Sequence, residues 1–195
     1  MSCSEDKSIK MWHYPTQDYM SLYITDENQF QSPAPVVTYL GKYPFSGIDH
    51  QRKSSQFVTC SGPVLELWEH HHSEPVKTLK WNALTQSNNF DVETITTVKF
   101  NPIETHVLAA AATDRSILLY DVKSGTAIKR VILKMNTNAL CWNPMETFNF
   151  TVANEDHQCY TFDARKLDAV LNVHKDHVSA VYVERADIRV VLVRY

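Results

Sequence analysis

The sequence predicts an all-β fold, an incomplete β-propeller with three full four-stranded blades and partial blades at both ends. Three observations predict it. The stretch "KFNPIETHVLAAAATDRSILLYD", Lys99 to Asp121, is written again 42 residues later as "CWNPMETFNFTVANEDHQCYTFD", Cys141 to Asp163, without a gap. Each copy breaks into short apolar runs separated by turn residues, which describes one blade of about forty residues. The same grammar extends upstream, through Ile48 to Trp68 and Ser4 to Trp12.

Taken in order, each copy opens on an alternating run, Ile95 to Phe100 or Thr137 to Trp142. A turn follows at Asn101-Pro102 or Asn143-Pro144, where proline fixes φ and asparagine caps the bend. A second apolar run comes next, Val107 to Ala112 or Asn149 to Asn154. Within it Ala109 to Ala112 fits a crowded inner strand that needs small side chains. A tight turn holds Asp114-Arg115 or Asp156-His157. The third run closes on Tyr120-Asp121 or Phe162-Asp163, and a fourth covers 127–133 or 169–174. Upstream, Ile48 stands 52 residues before Phe100 and Trp68 stands 52 before Tyr120. The ten extra residues fall in the polar stretch 82–94, read as a long loop between blades.

The blades are therefore expected at 44–81, 95–133 and 137–174. A partial blade covers 1–40 and lacks its first strand, with a polar insertion over 13–35. A further blade starts after 174 and runs into a divergent tail to 195. Propellers close with four to eight blades, so the chain reads as a truncated form of a larger one. Open edges and the apolar tail "IRVVLVRY" invite pairing or self-association.

Composition narrows the function. The chain has 195 residues, 44% hydrophobic, and a net charge of −3. It is neither a basic nucleic-acid binder nor an acidic tail, and no local basic patch is obvious. The four cysteines lack CxxC spacing and the start lacks an apolar signal core, so they read as thiols in a reducing compartment. No run of 18 apolar residues predicts a membrane span. His70-His71-His72 reads as a solvated loop, because neighbours in extended chain point to opposite faces. Glu104 and Glu146, equivalent positions on separate turns, do not form a general-acid pair. With only four glycines there is no phosphate-binding loop. The expectation is a protein with no catalytic residues, cofactor, metal or small-molecule substrate.

The pattern Ser4-x-Asp6-x-x-Ile9-x-x-Trp12 resembles the WD40 repeat. That resemblance implies a hydrogen-bonded network within each blade, to which Ser4, Asp6, Trp12, Trp68, Asp114, Asp156 and His174 would contribute. Ala112 and Asn154 would then replace the network serine, and Tyr120 and Phe162 the tryptophan. The strings "GIDH", "TTVKFNPIET", "DRSILLYD", "CWNPME", "ANEDHQCYTFDAR" and "DHVSAV" are similar to the nucleolar WD-repeat proteins of the Sof-one type. The resemblance covers about Trp12 to Val181. It implies a scaffold in ribosome biogenesis, working on small-subunit rRNA within the small-subunit processome. It also implies partners among processome proteins and the pre-ribosomal RNA complex, and a place in the nucleus and nucleolus. In animals the family also serves as a substrate receptor of a cullin-RING ubiquitin ligase. Phe162-Asp163-Ala164-Arg165 resembles the box that docks such receptors on the ligase adaptor. The plainer reading of Asp163 and Arg165 is a solvated turn cap.

Overall fold

A computed structural model describes residues 1–12, 34–81, 94–175, 180–183 and 190–193. The last two segments are described as backbone strands. The polar insertion and the long loop expected between blades lie almost wholly outside the described residues.

The first sheet has three strands, β1 (Ser2–Cys3), β2 (Ser8–Met11) and β3 (Val37–Leu40), in the order β1-β2-β3. The second is a four-stranded meander, β4 (Phe45–His50), β5 (Gln56–Ser61), β6 (Val64–Glu69) and β7 (Lys77–Lys80). The third contains β8 (Ile95–Phe100), β9 (Val107–Ala112), β10 (Ser116–Asp121) and β11 (Thr126–Ile132). The fourth contains β12 (Thr137–Trp142), β13 (Asn149–Asn154), β14 (Cys159–Asp163) and β15 (Val170–His174). A two-stranded sheet follows, β16 (Ala180–Val183) against β17 (Val190–Val193), so the apolar tail pairs within its own chain. Every pairing is antiparallel. The fold is an all-β, incomplete propeller.

The sheets stack side by side. First strands meet around a common axis, β4 on β8, β8 on β12 and β12 on β16. Each middle strand is therefore covered on both faces, and its residues alternate between two cores. Leu108, Ala110, Ala112, Leu118 and Tyr120 pack toward the second sheet with Trp81 and Leu65. Ala109, Ala111, Ile117 and Leu119 pack toward the fourth, with Trp142, Phe150 and Phe162. This explains why β9 and β10 read as continuous apolar runs, and why all four alanines are fully buried. Between the first two sheets, Phe57 stacks on Trp68 at 5.9 Å, and Tyr39 meets both rings edge-on.

One equivalence needs correction. β4 and β8 carry matching bulges, between Phe45 and Gly47 and between Ile95 and Thr97. Aligning them makes Val98, not Phe100, the counterpart of Ile48. The offset is 50 on that first strand and reaches 52 only at Trp68 and Tyr120, which oppose Phe57 and Leu108. The two intervening turns are each one residue longer in the later sheet. The interval from β7 to β8 is ten residues longer than that from β11 to β12, which places the extra residues after Lys80.

Candidate functional site

Three kinds of turn recur, each closed by a side-chain oxygen that accepts amides two or three residues on. This is the local bonding that Asp and Asn offer a bend. The first kind follows the first strand. Asn101 Oδ1 accepts from the Ile103 and Glu104 amides at 2.9 Å each, and Asn143 Oδ1 from Met145 and Glu146 at 2.9 and 3.3 Å. The second kind joins the second and third strands. Asp6 Oδ1 accepts from the Ser8 amide at 2.9 Å, Asp114 Oδ1 from Ser116 at 2.9 Å, and Asp156 Oδ1 from Gln158 at 3.1 Å. The residue after each aspartate, Lys7, Arg115 or His157, is left-handed, with φ of 65, 63 and 59°. The third kind ends the third strand, with Asp121 Oδ1 on Lys123 N at 2.8 Å and Asp163 Oδ1 on Arg165 N at 2.9 Å.

The expected blade network forms only in part. Asp114, whose side chain is 5% exposed, gathers four donors. Besides the Ser116 amide, these are Ser116 Oγ at 2.5 Å, Trp81 Nε1 at 3.0 Å and Arg130 Nη2 at 3.1 Å. Trp81 directly follows β7, the last strand of the second sheet, so this carboxylate ties two blades together. Asp156 is only half-buried and takes a bond from Tyr160 Oη at 2.6 Å, which pushes that phenol up to about 12. Asp6 is exposed, and the hydroxyl and amide of Ser8 hold it below the usual carboxylate range.

Tryptophan partners correct the assignment of the network hydroxyl. Trp68 Nε1 donates to Thr59 Oγ1 at 2.9 Å, two residues beyond Phe57, its cross-strand neighbour. Trp12 repeats that diagonal by donating to Ser2 Oγ at 2.9 Å, not to Ser4, whose hydroxyl instead accepts from the Asp6 amide. The matching positions in the next blades are Ala110 and Val152, not Ala112 and Asn154. With Ala110 there, the buried Tyr120 hydroxyl has no hydrogen bond among the described residues. His174, expected to open the following repeat, lies exposed on β15 with its ring 3.4 Å from Asn172 Nδ2.

The box at the end of β14 is both a cap and a presented cation. Asp163 is buried and receives Arg165 Nε at 3.0 Å and Nη2 at 2.7 Å in addition to the amide. Those bonds hold its carboxyl at about 2, and the same pairing raises the guanidinium. Arg165 lies 4.4 Å above the Phe148 ring, and 63% of its side chain is exposed. Its Nε–Nη2 edge is taken by Asp163, and its Nη1, which makes no hydrogen bond among the described residues, is the nitrogen left for an incoming carboxylate.

Two features had no signal in the sequence. Gln51 Nε2 donates to Thr105 O, and Asn101 Nδ2 donates to Thr147 O at 2.6 Å. These bonds lace the first turns of three neighbouring sheets around a cleft of about 160 Å³, whose lining includes His50, Arg52, Lys99 and Trp142. Beside it His50 Nε2 and His70 Nε2 stand 3.1 Å apart, so His70 belongs to a pair and not to a free loop. No group of three His, Cys, Asp or Glu suited to a metal occurs among the described residues. No helix there is long and apolar enough to cross a membrane.

The stacked meanders, their shared axis and the repeated aspartate turns define a WD-repeat propeller chain. No protein-family model matches the chain. It is 43% identical over 177 residues, 91% of its length, to DDB1- and CUL4-associated factor 13 of Xenopus laevis. It is 41% identical over 182 residues, 93% of its length, to Protein SOF1 of Saccharomyces cerevisiae, and 44% identical over 177 residues to the Mus musculus factor. Over those residues the chain is a homologue of the Sof-one type of WD-repeat proteins. It spans about a third, 35%, of the length of these curated relatives.

Proposed function

We propose that the chain is a non-catalytic scaffold in ribosome biogenesis, acting in small-subunit rRNA processing within the processome. In this reading its blade turns hold processome proteins and the pre-ribosomal RNA complex in the nucleolus. The observation that carries it is the 41% identity to Protein SOF1 across 93% of the chain. The laced turns support it, since a scaffold needs a preformed surface. The test is sedimentation of the tagged chain from nuclear extract on a density gradient. Co-migration with pre-ribosomal particles is expected, and recovery only in the free fractions sinks the reading.

A second reading, substrate receptor of a cullin-RING ligase, is favoured by the exposed guanidinium of Arg165, with its unbonded Nη1, and by the DDB1 and CUL4 in the relatives' names. Arg165→Ala keeps the backbone amide that caps Asp163. It is expected to weaken co-purification with the adaptor while leaving the fold intact, with one cooperative melt shifted slightly down by the loss of the side-chain bonds to Asp163. Equal recovery of the adaptor reduces the box to a turn cap.

A further inference from the structure

The cleft between the laced turns has an unbalanced set of charges. Arg52, Lys99 and His50 line it together with one carboxylate, Asp49. That carboxylate is already engaged, with Oδ2 accepting the Phe100 amide at 2.7 Å and Oδ1 facing Lys99 Nζ at 3.4 Å. Arg52 is exposed and makes no hydrogen bond or ion pair among the described residues. One guanidinium therefore points to solvent at a concave site whose own anion is satisfied, an arrangement that suits an incoming carboxylate.

The surroundings choose between a peptide and a nucleic acid. The same turns expose Ile103 at 49%, Met145 at 66% and Phe148 at 41%. Ile103 and Met145 are repeat equivalents, one residue beyond the two prolines that help to line the cleft. Exposed Met, Ile and Phe beside arginine is the composition of a protein interface core. A polyanion would meet Glu104 and Glu146 on these turns, and Arg165 lies over one face of the Phe148 ring, leaving its exposed edge for apolar contact rather than base stacking. We infer that this face docks a short peptide segment of a protein partner, with one Asp or Glu side chain entering the Arg52–Lys99 cleft and flanking apolar residues resting on Ile103, Met145 and Phe148. The inference rests on the scaffold reading and names the chemistry of one partner.

The test is selection of a random nonapeptide display library on the purified chain. Affinities of the selected peptide and of its Glu→Gln twin are then measured by fluorescence anisotropy. Enrichment of an acidic residue beside apolar ones is expected. Arg52→Gln should weaken the acidic peptide at least fivefold and leave the glutamine twin unchanged, with the same melting temperature as wild type. Lysine-rich winners, no enrichment, or equal loss for both twins would overturn the proposal. So would displacement of the peptide by a U-rich RNA 12-mer in an Arg52-dependent manner. Gradient sedimentation of the wild-type chain separates the two claims. If wild type fails to co-migrate with particles, the scaffold reading fails while the peptide result stands by itself.

Discussion

Asp114 and Asp156 occupy the same place in successive repeats and do different amounts of work. Asp114 satisfies four donors from three other residues, whereas Asp156 takes one amide and one phenol. Asp114→Ala removes the buried acceptor shared by Ser116, Trp81 and Arg130, which costs about 1–3 kcal/mol. Asp156→Ala should lower the urea midpoint less, because Tyr160 can turn its hydroxyl to water; equal midpoint shifts would contradict this. Asp163 gives a pH signature. Its folded value, about 2, lies below the roughly 3.9 of an unfolded aspartate, so its contribution is present above pH ~4 and is lost as pH falls toward 2. In Arg165→Ala the Asp163 titration, followed by carboxyl NMR, should move upward. The aspartates were legible because the 42-residue repeat marks them and a turn needs an Asx. Trp81 and Arg130 were not, since no spacing rule joins them to Asp114. The Ser2 partner of Trp12 was misread as Ser4 because a diagonal contact is visible only once strand register is known.

Each element ends in a turn whose backbone makes its own demand. Gly125 closes the β10–β11 turn at φ 73°, in the left-handed region. Gly47 lies in β4 beside a bulge, and an added Cβ would meet nothing nearer than 3.7 Å. Gly125→Ala should therefore lose about 1–2 kcal/mol, the strain of a left-handed L-residue. Gly47→Ala should be neutral or slightly stabilising, by restricting the unfolded chain. Thermal melts of the two variants check the contrast, which fails if Gly47→Ala is the weaker protein. Strand positions were readable from alternation and turn residues. Strand equivalence was less so, because two turns differ by one residue between blades and a single offset hides that.

Across the whole molecule, side-chain bonds cross between sheets at both ends of the strands. Trp81 reaches Asp114 at one end, and Asn101 reaches Thr147 at the other. Thr96 Oγ1 adds a bond to Thr137 O at 2.8 Å between the first strands. Sheets joined in this way, with shared cores, should open together. Hydrogen exchange should give the amides of β5, β9 and β13 a common protection, with the outer strands β3, β7 and β15 exchanging earlier. Widely separated protection for β5 and β13 would mean that the blades unfold one at a time. The repeat announced the sheets and their order. The cleft was illegible, because its cations come from positions that are not equivalent in different repeats, and only stacking brings them together.

The histidine pair turns this face into a counter of protons. At 3.1 Å one ring must donate and the other accept, so a proton added to the accepting nitrogen ends the bond. Burial, with His50 and His71 nearby, lowers the His70 value, and Glu69 pulls it the other way. The bond's contribution is thus present above the ordinary histidine range and is lost as pH falls through the lowered His70 value. His50, the partner of that ring, lines the cleft, so the charge His70 gains stands one ring away from where a glutamate would enter. Peptide affinity should accordingly climb on mild acidification, then collapse near pH ~4 as the glutamate itself becomes neutral. The profile is a bell whose neutral-side limb belongs to the protein and whose acid-side limb belongs to its guest. His70→Gln should flatten the first limb and spare the second, and a wild-type profile flat from pH 8 to 5 would uncouple the pair from the cleft.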